Sequence, residues 1–494
     1  MKKQKFYIET LGCKVNRYES DGIAACLEEK GLVRGDKNFA DLCIINTCAV
    51  TSKASMQSRQ AIRRLIRDNP NARIIVTGCH AQTDYELINK IEEVDQIVCH
   101  KDKTLIADLI VDPKETSNLQ TKGRTKGQAK DQAKDQAKDQ TKDQTKDQAK
   151  DQTKDQAKDQ LTSKPDADPP SPFVFRPPDY SKGNRFLSFD KPIKGKMTRA
   201  YLKIQDGCNA FCTYCIIPYA RGSSVSMPET TVFKHLDGLV RSGFKEVILT
   251  GIHTGMYGLD LNPPTALINL LNTMDKEKSV DRVRISSIEP TELSDGLIDL
   301  ASPGHIVCDH FHIPLQSGDD GILKKMKRPY STSSFETLIH KIHEKLPFAG
   351  IGVDIIIGFP SETDAQFENT FRFIEKLPVS YLHVFPFSAR KGTPAYHFKG
   401  KVASDVIKER CARMRALDKE KRAAFIYANR GRKLQAIVQK TQDKQTGLLK
   451  AVTSNYLTVL LEKNDSLKGR LVDLIYEQCD SKMNPIGKVM TVID

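Results

Sequence analysis

The sequence predicts a multidomain α/β protein with three folded parts: an N-terminal parallel α/β domain, a partial TIM barrel and a small C-terminal β-barrel. Three observations carry this. Short apolar runs alternate with helical stretches over residues 1 to 112 and again over 191 to 395. A low-complexity repeat separates these two blocks, and several short strands punctuated by Gly, Asn and Asp fill the stretch from 428 to 494.

In the first block FYIET, LCIINT, RIIVTG and QIVC read as strands, with helices from about Tyr18, from about Ser52 and after RIIVTG. Cys13, Cys48 and Cys79 each follow a strand end, in TLGCKVN, INTCAVT and VTGCHAQ. Open parallel sheets bind ligands outside the carboxyl ends of their strands, so three cysteines distant in sequence can meet at one edge. Three buried thiols at strand ends are the alternative. The helix after INTC carries Arg59, Arg63, Arg64 and Arg67, of which Arg59, Arg63 and Arg67 recur every four residues and share a face.

From Gly123 to Gln160 the chain collapses into a four-residue AKDQ or TKDQ repeat with no apolar residue larger than alanine, which cannot bury a core. With the Pro-rich PDADPPSPFVFRPP, residues 113 to 190 read as a linker.

The second block offers strands at RAYLKIQ, EVILTGI, RVRISSI, HFHIPLQ, GVDIIIGF and YLHVFPF, six βα units in all. Such a barrel builds its site from loops at the carboxyl ends of its strands. Cys208, Cys212 and Cys215 lie just after the first, in LKIQDGCNAFCTYC. Three cysteines spaced Cx3Cx2C hold an iron-sulfur cluster by three corners and leave one iron unligated. A structural zinc site needs four closed ligands and favours paired CxxC motifs, which the flanks do not supply. Other strand-end groups expected at the site are Gly251 and Gly255 in LTGIHTGMYG, Ser286 and Glu289 in RISSIEP, and Gln316, Ser317 and Gly318 in HIPLQSG. Ser388 and Arg390 end the sixth strand, and a helix from about Ser404 to Tyr427 packs outside. Lys324, Lys325, Lys327 and Arg328 form a basic group that could meet phosphate. His80 and His253 are candidate ligands, although a lone histidine is more often ordinary structure.

The 494 residues carry a formal charge of +14, which favours a polyanionic partner. Lysine and aspartate nearly cancel in the repeat, so the excess lies in the folded parts. No apolar run reaches the ~18 residues of a membrane span and the first residues have no signal-peptide core, so a cytoplasmic location is expected. Twelve cysteines then argue for reduced thiols. Six have a chemical role, and Cys26, Cys43, Cys99, Cys308, Cys411 and Cys479 read as packing residues.

The Cx3Cx2C run, with an aromatic at Tyr214, resembles the signature of radical S-adenosylmethionine enzymes. The last domain, with Arg430, Arg432 and Lys433 at its start, resembles the RNA-binding TRAM module. Three strand-end cysteines, then the radical motif, then such a tail is the architecture of the methylthiotransferase family, and the resemblance covers the chain apart from the repeat. TLGCKVNRYES, INTCAVTSKASMQSRQAIRR and TGCHAQ look most like the branch acting on N6-threonylcarbamoyladenosine at position 37 of tRNA. The resemblance implies two 4Fe-4S clusters, one on Cys208, Cys212 and Cys215 and an auxiliary, sulfur-carrying one on Cys13, Cys48 and Cys79. It implies S-adenosylmethionine as cofactor, with Tyr214, Gly251, Gly255, Ser286, Glu289, Gln316 and Ser388 near it. It also implies a tRNA partner gripped at the anticodon stem-loop, an electron donor such as flavodoxin or ferredoxin, and a monomer. The same chemistry on isopentenyladenosine or on a ribosomal protein is the nearest alternative. A non-catalytic RNA-binding metalloprotein, or a radical enzyme unrelated to sulfur insertion, differs in class.

Overall fold

The computed structural model describes residues 3–111, 185–189 and 197–493. Its first sheet is parallel, in the order Val33–Arg34, Lys5–Thr10, Leu42–Thr47, Arg73–Gly78, Gln96–Ile97. Leu42–Thr47 is buried along its whole length, as a central strand covered by helices on both faces must be. Ser52–Asp68 forms a helix because Thr51 caps it by accepting from the Ala54 N–H, while Ser58, Ala61, Ile62 and Leu65 repeat at helical spacing on the buried side.

The predicted linker lies outside the described residues except for 185–189, and these are packed. Leu187 and Phe189 are buried, and the Phe189 ring meets Tyr18 edge-on at 6.2 Å. A Cβ on Gly22 would come within 2.3 Å of that ring, so the helix Lys14–Glu29 accepts it only at a glycine.

All six barrel strands are present: Ala200–Lys203, Glu246–Thr250, Arg282–Ile285, His310–His312, Gly350–Ile357 and Tyr381–Pro386. They run in sequential order as two three-stranded parallel sheets, linked by single bridges such as Ser287 to His312. This is an open βα barrel. The helix Lys14–Glu29 packs on Ala200–Lys203, so one apolar core runs from Phe6 and Ile23 into Leu202, Val247 and Val353. The final helix, Ser404–Ala428, lies against Tyr381–Pro386.

Five C-terminal strands, Leu434–Gln442, Leu449–Thr453, Thr458–Leu461, Leu471–Cys479 and Pro485–Ile493, close into a small barrel around Val438, Ala451, Val459 and Leu474. An ionic cluster pins it to the larger one. Glu246, fully buried at the start of its strand, accepts from Arg282 Nε at 2.8 Å and Arg284 Nε at 3.0 Å, with Arg199 at 3.4 Å. The two buried guanidinium groups donate onward to the carbonyls of Gln435, Val452, Thr453 and Ser454. Burial alone would raise the Glu246 pKa; the three arginines outweigh it and hold the carboxyl well below its ordinary range.

Glu246→Ala would leave those arginines buried without a counter-ion. We expect a loss of about 3–5 kcal/mol in denaturant unfolding, with faster proteolysis between residues 428 and 434. Unchanged stability would show that the cluster does not hold the two barrels together.

Candidate active site

The three strand-end cysteines stand on adjacent strands whose ends are level, Thr10 facing Asn46 and Thr47 facing Gly78. Cys13 precedes the helix Lys14–Glu29, Cys48 follows Leu42–Thr47, and Cys79 opens the short helix Cys79–Thr83. Gly12, at φ +98°, brings Cys13 beside Cys48: a Cβ there would sit 2.8 Å from the Cys48 sulfur. Burial pushes the Cys48 thiol up to about 12 and raises that of Cys13, which opens to the cavity while protein surrounds it on its other sides.

Below this triad lies a charged cluster that links the first domain to the barrel. Arg221 is fully buried; its guanidinium donates to Cys79 Sγ at 3.3 Å, Asn16 Oδ1 at 2.6 Å, Glu19 Oε1 at 2.9 Å and Asp206 Oδ1 at 2.8 Å. Lys103 pairs with Glu19, and Lys203 with Asp206 at 2.9 Å. Three buried cations thus face two buried carboxylates. His100, 3.4 Å from Asp206, adds no charge at neutral pH, because burial and the nearby Arg221 outweigh Asp206 and lower its pKa to about 4. Nothing in the sequence marked Arg221, Glu19 or Asp206; the pairing of Arg221 with Glu19 spans 202 residues of chain.

The Cx3Cx2C loop follows the first barrel strand. Cys208 Sγ accepts from the Ala210 N–H and lies 3.4 Å from His253 Nδ1. Burial alone would lower the His253 pKa, but the Cys208 sulfur and Glu292, 2.7 Å from Nε2, outweigh it and raise the ring to about 10. Arg328 donates to Cys212 Sγ at 3.3 Å and pairs with Glu289. Burial holds the Cys215 thiol at about 12.

Both triads line one cavity of about 690 Å³, together with Tyr214, Gly251, Ser286, Glu289 and Gln316 from the residues expected there. Gly255 and Ser388 are not on this wall. A Cβ at Gly255 would collide with the Glu292 carboxylate at 2.0 Å, so that glycine serves packing. Ser388 instead accepts from the Ser52 N–H at 2.8 Å and fixes the sixth strand's loop to the first domain. Ser317 and Gly318 turn away toward Thr370. Arg328, grouped with the exposed lysines in the sequence, is buried at the site, while Lys324 and Lys327 line a neighbouring opening of about 780 Å³. His80 bonds Asp84 and is also off the wall; Arg390 reaches the same carboxylate at 3.4 Å.

The far wall went unmarked in the sequence. His310 stacks on Tyr456 at 4.3 Å, and Tyr381 lies beside both, so the C-terminal barrel contributes an aromatic face through Tyr456. Asp354 Oδ1 is 2.9 Å from His312 Nε2 and 3.1 Å from His383 Nδ1; these two rings outweigh burial and hold its pKa down to about 2. Lys14 faces this wall, its pKa lowered to about 8 by burial and by Arg284 and Arg199.

A cysteine triad in a loop after the first strand of an open parallel barrel, walled by the carboxyl ends of the other strands, defines a radical S-adenosylmethionine enzyme. The family model described as the radical SAM superfamily matches residues 202–374, and that of the uncharacterized protein family UPF0004 matches residues 5–99. A threonylcarbamoyladenosine tRNA methylthiotransferase of Bacillus subtilis is 34% identical over 94% of this chain and 91% of its own. The enzyme of that name from Aquifex aeolicus is 31% identical over 95% of this chain and all of its own. A tRNA-2-methylthio-N(6)-dimethylallyladenosine synthase of Pelotomaculum thermopropionicum is 30% identical over 95% of this chain and 94% of its own. The chain belongs to the methylthiotransferase family of radical S-adenosylmethionine enzymes. That membership implies S-adenosylmethionine and a 4Fe-4S cluster. Among solved structures, the radical S-adenosylmethionine methyltransferase TsrM of Kitasatospora setae shares the fold with a TM-score of 0.52 at 14% identity, covering 80% of this chain and 74% of that one. No helix among the described residues is long and apolar enough to cross a membrane.

The folded state holds His100 neutral with a pKa of about 4, below its ordinary 6.5. Unfolding at lower pH therefore takes up a proton, so this contribution is complete above pH 6.5 and is lost as pH falls toward 4. It amounts to about 3 kcal/mol. In thermal melts of the cluster-free chain, His100→Gln should flatten the decline in Tm between pH 6.5 and 4; parallel curves would rule the histidine out.

Proposed function

We propose that the protein converts N6-threonylcarbamoyladenosine at position 37 of tRNA to its 2-methylthio derivative. The carrying observation is that two cysteine triads line one cavity, in a chain 34% and 31% identical to relatives named for threonylcarbamoyladenosine tRNA methylthiotransfer. On this reading residues 1–112 carry the auxiliary site, 113–190 connect, 191–427 form the radical domain, and 428–494 form a TRAM-like RNA-binding domain.

Cys208, Cys212 and Cys215 would hold one 4Fe-4S cluster and Cys13, Cys48 and Cys79 a second. The donor sets fit. All six thiols are free of disulfides, and three ligands leave one iron open to a chelating cofactor. Beneath the second triad, the surplus of buried cations supplies the positive charge that an anionic, thiolate-bound cluster requires. When bound, the first cluster with S-adenosylmethionine supplies one-electron chemistry able to break an inert C–H bond, and the second supplies sulfur.

The chain's own residues prepare that site. Arg221 and Arg328 donate charge-assisted hydrogen bonds to the sulfurs of Cys79 and Cys212 and so orient one member of each triad. His253 holds a proton between Cys208 and Glu292. Tyr214, Gly251, Ser286, Glu289 and Gln316 form the wall near the first triad, where S-adenosylmethionine would lie. Arg59 and Arg63 lie off the buried face of the helix that follows Cys48, where they would meet tRNA phosphate, as would Lys324 and Lys327. A flavodoxin- or ferredoxin-type donor, a cytoplasmic location and a monomeric state complete the proposal.

In cells lacking the gene, mass spectrometry of tRNA nucleosides should show loss of 2-methylthio-threonylcarbamoyladenosine and accumulation of its precursor. A change confined to isopentenyladenosine derivatives would move the assignment to that substrate. Cys79→Ala should retain about four iron atoms per chain instead of about eight and still cleave S-adenosylmethionine, while methylthiolation is lost. Full iron content in that variant would refute the second cluster.

A further inference from the structure

The charged side chains on the cavity wall are paired, with one exception. Arg221 meets Glu19 and Asp206, Arg328 meets Glu289, His253 meets Glu292, and Asp354 accepts from His312 and His383. Lys14 has no carboxylate partner among the described residues, although it lines the cavity and is only partly exposed. The charges around it increase the imbalance. Arg284 and Arg199 are the cations it feels most, and both already share Glu246 with Arg282. Asp354, the carboxylate in this group, has Oδ1 occupied by two imidazoles. On the cavity wall itself Lys14 thus stands as a cation without a carboxylate partner among the described residues, on the same wall as the aromatic face of Tyr381, His310 and Tyr456.

A half-buried ammonium ion without a counter-ion is costly unless a ligand supplies one. Building on the substrate reading above, we propose that Lys14 is the specificity-determining residue for the acidic arm of the substrate, its ammonium taking the carboxylate of the threonylcarbamoyl group. The position is suitable: Lys14 directly follows Cys13, so the arm would be anchored next to the auxiliary triad while the base lies toward the other. A dimethylallyl arm would leave the ammonium buried and unpaired, and sites built around a charged hydrogen bond strongly reject analogues that lack it.

The test uses the full-length holoenzyme with both clusters and two anticodon stem-loop RNAs, one bearing threonylcarbamoyladenosine and one its uncharged carboxamide. For the wild type, KM should rise about 10- to 100-fold on the carboxamide. Lys14→Met should raise KM for the carboxylate by a similar factor while leaving the carboxamide KM unchanged, and Lys14→Arg should recover part of the loss. Equal KM values for the two RNAs in the wild type, or an equal penalty on both in Lys14→Met, would overturn the role. Iron content and 5'-deoxyadenosine formation report whether the variant keeps its clusters, since Lys14 adjoins Cys13; if it does not, the wild-type pair of substrates still decides. Wild-type product on dimethylallyl RNA with none on the threonylcarbamoyl RNA would instead sink the substrate reading, and this inference with it.

Discussion

Arg221 is the side chain on which the rest of the site depends. It comes from the barrel, yet its guanidinium reaches Asn16, Glu19 and Cys79 of the first domain as well as Asp206 of its own. Removing a guanidinium from water costs several kcal/mol, and only a full set of partners offsets it. Its Nε, Nη1 and Nη2 each have one, so the docking of the two domains leaves this buried charge paired. That position brings the carboxyl ends of two separate parallel sheets to face each other across a shared space. Either sheet alone would offer an open edge; together they enclose a cavity with three thiols at each side.

Glu246 applies the same device at the opposite end. Its carboxylate holds Arg282 and Arg284 so that they point at carbonyls of the C-terminal barrel, which fixes Tyr456 against His310. A module that sequence reading takes for an RNA-binding appendage therefore also supplies part of the cavity wall. RNA held by such a module and chemistry inside the cavity would be coupled through rigid contacts, with no need for a mobile arm.

Much of this was legible in the sequence, for identifiable reasons. Short apolar runs alternating with helical stretches marked the six barrel strands and the central strands of the first sheet, because strands such as Leu42–Thr47 and Glu246–Thr250 are buried on both faces. Cys208, Cys212 and Cys215 stood out by their close spacing, and Cys13, Cys48 and Cys79 because each follows a strand end; the fold brings both sets to one cavity. What pairs across long sequence separations did not show. Arg221 and Asp354 look like ordinary charged residues until the fold sets them beside their partners, and Lys14 until the fold sets it on the cavity wall. Gly255 and Ser388 illustrate the converse error, since both follow strand ends and yet one serves a side-chain packing contact and the other a domain contact. Phe189 was hidden for a compositional reason: it follows a repeat and a Pro-rich stretch, and only its contacts with Gly22 and Tyr18 place it in the core.

The enclosure has a consequence for how a nucleotide could react. The thiols lie behind walls contributed by three parts of the chain, among them Val50, Phe385 and Tyr456. On the substrate reading, the nucleotide would leave its stack to bring C2 between two triads that line one cavity. Unstacking costs a few kcal/mol, least for a base already unpaired. An aromatic face on the cavity wall would return part of that cost by stacking on the flipped base, which is what His310, Tyr381 and Tyr456 present. On the proposed reading, affinity and selection would be separated in space: surface cations would hold RNA phosphate, and the cavity wall, with its aromatic face and Lys14, would select the modified base.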